Sequence, residues 1–142
     1  MAKYPVNYTF FPVPASSAFP SGRVAPRPIL QLALVNGQNR LSCYAIVDSG
    51  ADCCAFPSSF LLPLGINPFG MPFEPTNGVG GLTLSFFYNI QIDLQGIVQF
   101  PAYAAFTDGL NQWGVGLLGQ GGFFDRVGVH FDLHNGKFEI EI

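Results

Sequence analysis

The chain has 142 residues, of which 49% are hydrophobic, 15% aromatic and only 11% charged, with a net charge of −3. That length holds one domain with a single core. The six Lys and Arg are scattered, which excludes a basic footprint for nucleic acid, and Pro, Gly, Asn or Asp interrupt every apolar run short of the ~20 residues a membrane-spanning helix needs.

Residues 1–27 are rich in Pro, Ser and aromatics: Tyr4-Pro5, Phe11-Pro12-Val13-Pro14, Phe19-Pro20 and Pro26. Proline donates neither to a helix nor to a ladder, so this stretch reads as an extended N-terminal arm with one edge strand near residues 7–11. Within it, Phe10-Phe11-Pro12 has the character of a site that a protease with apolar pockets would cut. The domain proper is expected over residues 28–142. Apolar runs at 29–35 and 41–47 flank Asn36-Gly37-Gln38-Asn39. Asn-Gly between such runs is the strongest short-range hairpin signal, because both residues tolerate positive φ. Residues 53–56 read as a short return strand, 57–62 as one helical turn opened by Pro57, and 65–72 as a loop.

The glycines of Gly78-Val79-Gly80-Gly81 make a tight tip, with residues 71–75 and 82–94 as the arms of a hairpin. It is not a phosphate loop, since neither Gly-x-x-x-x-Gly-Lys-(Ser/Thr) nor a following helix is present. Residues 84–94 and 97–106 alternate around Gln95-Gly96 as a further hairpin, and 108–114 form a loop carrying the only Trp, Trp113. Residues 115–119 read as a buried strand ending in glycine, and 121–127 as the one short helix, in the C-terminal half. Residues 129–133 and 137–142 flank Asn135-Gly136, again a hairpin. At least eight short strands with about one helix predict an all-β, barrel-like domain.

The stretch Ala45-Ile46-Val47-Asp48-Ser49-Gly50-Ala51-Asp52 stands apart. Asp and Gly are poor strand formers, so Asp48 falls where a buried strand breaks into a tight loop. A carboxylate in that position is costly unless something pairs it or uses it. The three cysteines, an odd number with Cys53 and Cys54 adjacent, suit neither a disulfide framework nor a Cys-x-x-Cys metal knuckle. They read as reduced, mostly buried thiols of a cytoplasmic protein without a secretory signal. The charged fraction, well under the usual quarter, implies that a second subunit covers part of the apolar surface.

The order of these parts resembles the retropepsin-like aspartic proteases, of the cellular and bacterial kind rather than the retroviral. A strand runs into Asp48-Ser49-Gly50-Ala51-Asp52, a glycine-tipped hairpin follows (Asn77-Gly78-Val79-Gly80-Gly81), and Leu117-Leu118-Gly119 comes last; the likeness spans about residues 28–138. It implies a closed β fold acting as a symmetric homodimer on a peptide or protein substrate, without cofactor or metal. Each subunit would supply Asp48 to a catalytic dyad that Ser49 holds rigid, while Gly50 lets the substrate backbone come close. Asn77, Gly78, Val79 and Gly80 would form a flap over the substrate, with Val79 offering its N–H. Ala55 and Leu117 would line side-chain pockets, Asp52 would bind substrate main chain or brace the loop, and Leu118-Gly119 would cross beneath the catalytic loop. Many relatives carry Arg after that glycine, paired with the second aspartate. Here the position is Gln120, and Asp52 lacks that ion pair. Residues 138–142 are expected at the dimer interface.

Other chemistries fit the residues less well. A two-lobed monomer needs a second Asp-(Ser/Thr)-Gly, and Phe106-Thr107-Asp108-Gly109 has its Thr on the wrong side, in a chain about half the necessary length. A nucleophilic Ser49 lacks a base, since the two histidines, His130 and His134, lie in the last hairpin. His130, Asp132 and His134 alternate and would share one face of a strand, which reads as a solvated face rather than a zinc site. The rival of a different class is a non-catalytic, retropepsin-shaped dimer serving binding or scaffolding, with Asp48 as a satisfied loop aspartate. A small barrel for an apolar ligand leaves the Asp-Ser-Gly and the glycine hairpin unexplained.

Overall fold

The computed structural model describes residues 1–78 and 81–142. In chain order the strands are β1 (Lys3–Asn7), β2 (Thr9–Val13), β3 (Arg23–Arg27), β4 (Ile29–Asn36), β5 (Asn39–Val47), β6 (Ala55–Pro57), β7 (Phe73–Gly78), β8 (Gly81–Leu94), β9 (Val98–Thr107), β10 (Gly116–Leu118), β11 (Gly128–Asp132) and β12 (Lys137–Glu141). Among the described residues the only helical segments are single 3-10 turns at Ser58–Phe60, Asp108–Leu110 and Leu133–Asn135. No helix among them is long and apolar enough to cross a membrane. The strands fall into two compact units, Met1–Ile29 with Val127–Ile142, and Leu30–Arg126.

In the first unit β12 lies between β1 and β11, antiparallel to both, so its two hydrogen-bonding edges are taken and the open edges belong to β1 and β11. Phe138 is buried on β12 and meets the ring of Tyr8 edge-on at 5.5 Å. The N-terminal arm is more regular than its prolines suggest, holding three strands instead of one. The reason is positional: Pro5 sits on an edge strand, and Pro12 and Pro26 sit in the two-stranded β2–β3 ribbon, where a missing donor goes unnoticed. The alternation His130-Asp132-His134 does not persist. The strand ends at Asp132, which accepts hydrogen bonds from the backbone and side-chain nitrogens of Asn135, and His134 turns away in the 3-10 segment. No group of three or more metal-ligating side chains occurs among the described residues.

The second unit is a closed sheet. Its strand order is β4-β5-β10-β6-β9-β8-β7, and β4 pairs again with β8 through Ala33↔Asp93 to Val35↔Gln91. The ring closes over six strands, and β7 is left outside it. Alternate residues point inward: Leu32 and Leu34 from β4, Ala45 and Val47 from β5, Ile90 and Ile92 from β8, Ala104 and Phe106 from β9. Phe56 and Phe106 sit with ring centroids 5.9 Å apart in this core. At fourteen residues, β8 is long enough to serve twice. Its later part pairs with β9 from Ser85 to Leu94, whereas residues 81–84 pair with β7 alone and form a two-stranded ribbon.

The helix expected over residues 121–127 is absent. A chain of turns replaces it, with wide bonds from the N–H of Phe124 to the Gly119 carbonyl and from that of Asp125 to the Gln120 carbonyl. Two glycines in succession disfavour a helix, and Gly122 takes φ 103°, which no right-handed helix contains. Its lack of a side chain admits the Cys54 sulfur and the Ala102 methyl, each 3.1 Å from where a Cβ would stand.

Burial pushes the Cys43 thiol up to about 12 and the Cys54 thiol up to about 11, from an ordinary 9.0. The unfolded chain therefore gives up these protons first, and the folded state holds the more protons between about pH 9 and 11. The stability they confer is complete below that window and falls as pH rises through it. In urea unfolding across pH 8 to 11, Cys43→Ala is expected to flatten this fall by up to about 1.4 kcal/mol per pH unit. Equal slopes for variant and wild type would contradict the assignment.

Candidate active site

The site grows from the end of β5. Short β10 lies between β5 and β6, parallel to the first (Ala45↔Gly116 to Val47↔Leu118) and antiparallel to the second (Leu117↔Ala55). Asp48 continues the parallel register by one residue, its N–H donating to the Leu118 carbonyl at 2.9 Å. There the strand stops. The Gly50 N–H donates to Asp48 Oδ1 at 2.9 Å and the Ala51 N–H to the Asp48 carbonyl at 3.2 Å, a turn that aspartate makes through its own side chain. Asp48 is half-buried, while Ser49 and Gly50 are exposed.

The rest of the loop is tied to the segment after β10. The N–H groups of Gln120 and Gly121 donate to the carbonyls of Ala51 and Asp52 at 2.8 and 2.9 Å, and the Cys54 N–H donates to the Gly121 carbonyl at 3.0 Å. Leu118-Gly119 passes against the loop, as the resemblance implies, and Gly119 has no room for a side chain. A Cβ there would lie 2.3 Å from the Cys53 carbonyl oxygen and 2.7 Å from that of Ala51. Gln120 has a role that the sequence did not announce: its Nε2 donates to the Ser49 carbonyl at 2.9 Å, holding the middle of the Asp-Ser-Gly turn. The Asp52 carboxylate has no hydrogen-bond partner among the described residues, in keeping with the missing Arg.

Above this floor opens a cleft of about 460 Å³. Gly50, Asp52, Ala55 and Leu117, all singled out from sequence, line it; Asp48 and Ser49 lie outside the lining. Asn77 and Gly78 pair through their backbones with Leu82 and Gly81 at the end of the β7–β8 ribbon. Val79 and Gly80 fall outside the described residues. Much of the remaining wall comes from residues not anticipated, among them Glu74 and Thr76 of β7, Thr83, Ser85 and Phe87 of β8, and Thr107 of β9. Their signal was present, since 74 and 76 on one strand and 83, 85 and 87 on the next each share a face by strand alternation. The hydroxyls of Thr76 and Ser85 meet at 2.7 Å and satisfy each other. Cys53 also lines the cleft, and burial, followed by the charges of Asp52 and Glu74, raises its pKa. It therefore stays a thiol and is a poor nucleophile.

The structure is similar to the crystal structure of a retropepsin-like aspartic protease from Rickettsia conorii, with a TM-score of 0.59 at 12% identity, over 92% of this chain and 98% of that one. The fold is retropepsin-like. No protein-family description and no curated protein matches the sequence. The likeness at this identity is one of fold. In this retropepsin-like chain the Asp-Ser-Gly loop, the Leu-Leu-Gly crossing and the ribbon all belong to the unit Leu30–Arg126.

The tightness of the crossing gives a direct test. Gly119→Ala is expected to lower stability by about 1–3 kcal/mol, because the atoms it meets are backbone and cannot step aside. Gly37→Ala, at φ 61° with nothing within 4 Å of the new Cβ, is expected to cost only the left-handed penalty of about 1–2 kcal/mol. Urea unfolding of both variants measures the difference, and a Gly119→Ala protein as stable as wild type would show that the crossing is loose.

Proposed function

We propose that this chain is an aspartic endopeptidase, active as a homodimer in which Asp48 from each subunit forms the dyad. The observation that carries the reading is the placement of Asp48. It ends β5 on a hydrogen bond from its own N–H to Leu118, its carboxylate is oriented by the Gly50 N–H, and the next residues lead into the cleft. The retropepsin-like fold supports it.

Two carboxylates about 3 Å apart cannot both ionise and so share one proton. The ionised member takes a proton from a water held between them as that water attacks the peptide carbonyl, and the protonated member gives its proton to the carbonyl oxygen. Return of a proton to the amide nitrogen expels the amine and restores the pair. Because the two act as a unit, their titration belongs to the dimer and not to either subunit. Gly50 leaves space for the substrate backbone beside the carboxylate. Ala55, Phe87 and Leu117 give the cleft its apolar surface, so hydrophobic or aromatic residues are expected on both sides of the scissile bond.

The β7–β8 ribbon serves as the flap. The backbone of residues 81–84 pairs with β7 alone, and a single long hydroxyl contact from Thr107 to Thr83 adds little. An isolated pair of strands is only marginally stable, so the ribbon opens and closes at little cost. Strand pairing between subunits would fall to β1 or β11, which keep an open edge. One observation favours the non-catalytic binding module instead: Asp48 stands outside the lining of the cleft in the single chain.

Incubation with a library of apolar peptides between about pH 4 and 7 separates the two readings. The wild type is expected to cleave, and Asp48→Asn to lose at least about a hundredfold in kcat/KM. A folded dimer that binds peptides and cuts none would move the weight to the binding module.

A further inference from the structure

We propose that Glu74 gives the cleft a preference for peptides carrying a basic residue, in addition to the apolar residues around the scissile bond. The inference rests on the reading above only in taking the cleft to hold a peptide.

Glu74 is the one charged side chain of β7. It stands opposite Ser85 in the β7–β8 register, as Thr76 stands opposite Thr83, and all four line the cleft. The Thr76 and Ser85 hydroxyls engage each other, and among the described residues the Glu74 carboxylate has neither a hydrogen bond nor an ion pair. The structure thus gives Glu74 no internal role, although it places an acid on an otherwise uncharged face of the ribbon.

The surroundings make that charge matter. No Lys, Arg or His lines the cleft among the described residues, and the other acidic side chain in its wall is Asp52, also without a partner among them. The fields of both carboxylates reach the Cys53 thiol, so they act on the same part of the cleft. The unit Leu30–Arg126 contains six carboxylates against two guanidiniums, Arg40 and Arg126. Arg40 is already engaged by Asp93 at 2.6 Å. Glu74 and Asp52 are both exposed to the cleft, and a concave surface of one sign draws in ligands of the other. A lysine suits it best, because its methylene stem lies along apolar wall such as Phe87 while the ammonium reaches the carboxylate.

The test uses fluorescein-labelled decapeptides of Ala, Leu and Phe in which a single Lys is moved through the sequence, each matched by a norleucine peptide of the same shape. Binding is read by anisotropy at low salt on the full chain carrying Asp48→Asn, so that the peptide stays intact, and cleavage is read separately on the wild type. At one position, or two neighbouring ones, Lys is expected to bind about three- to fivefold tighter than norleucine, with the advantage fading as salt rises. Glu74→Gln is expected to remove most of the Lys advantage, leaving the smaller part that Asp52 supplies, and Glu74→Lys to favour a Glu peptide at the same position. A Lys advantage absent at every position, or one undiminished by Glu74→Gln, overturns the proposal. Peptides bound with the Lys preference and never cut by the wild type would sustain it while defeating the catalytic reading. Peptides cut without any Lys preference would do the reverse.

Discussion

A strand inserted between two others governs this structure. β10 lies between β5 and β6, which the chain visits in succession, so the loop joining them has to pass over the end of the inserted strand. Backbone bonds to Leu118, Gln120 and Gly121 hold both ends of that loop, and the Gln120 side chain holds its middle at Ser49. The close approach is possible only because residue 119 has no side chain. A loop with such support is rigid, and rigidity is what a carboxylate needs if it is to be held within tenths of an ångström of its task.

The same unit combines a rigid floor with a lightly held roof. From Ser85 onward β8 pairs with β9, and at Gln91–Asp93 also with β4, whereas the backbone of its first four residues pairs with β7 alone. Phe73 and Leu82 on this ribbon are 64% and 73% exposed, so little apolar burial holds it in place. Local stability follows buried contact. Under the proposed function the floor would position chemistry and the ribbon would admit and cover the substrate.

Much of this was legible in the residues. Asn36-Gly37 and Gln95-Gly96 mark tight hairpins where the structure has them, with Gly37 and Gly96 at positive φ, and the alternation of β8 and β9 gives their register. Of the residues that the resemblance singled out, Gly50, Asp52, Ala55 and Leu117 line one cleft, whereas Asp48 and Ser49 do not. The gaps have physical causes. Residues 121–127 have the apolar spacing of a short helix, but Gly121-Gly122 weakens it and the packing of Gly122 against Cys54 and Ala102 completes the choice of turns. The pairing of β1 with β12 joins the two ends of the chain, a contact for which no local pattern exists. The hold of Gln120 on Ser49 spans 71 positions and depends on the inserted strand, so composition and spacing are silent about it.

The functional account turns on symmetry, since one Asp48 without another has no shared proton. One complete site should then exist for every two chains. Titration calorimetry with an apolar peptide whose scissile carbonyl is replaced by a tetrahedral hydroxyl carbon, a mimic of water addition, measures this count directly. The account requires one peptide bound per two chains, with binding lost on dilution to monomer. Saturation at one peptide per chain, unaffected by dilution, would contradict it.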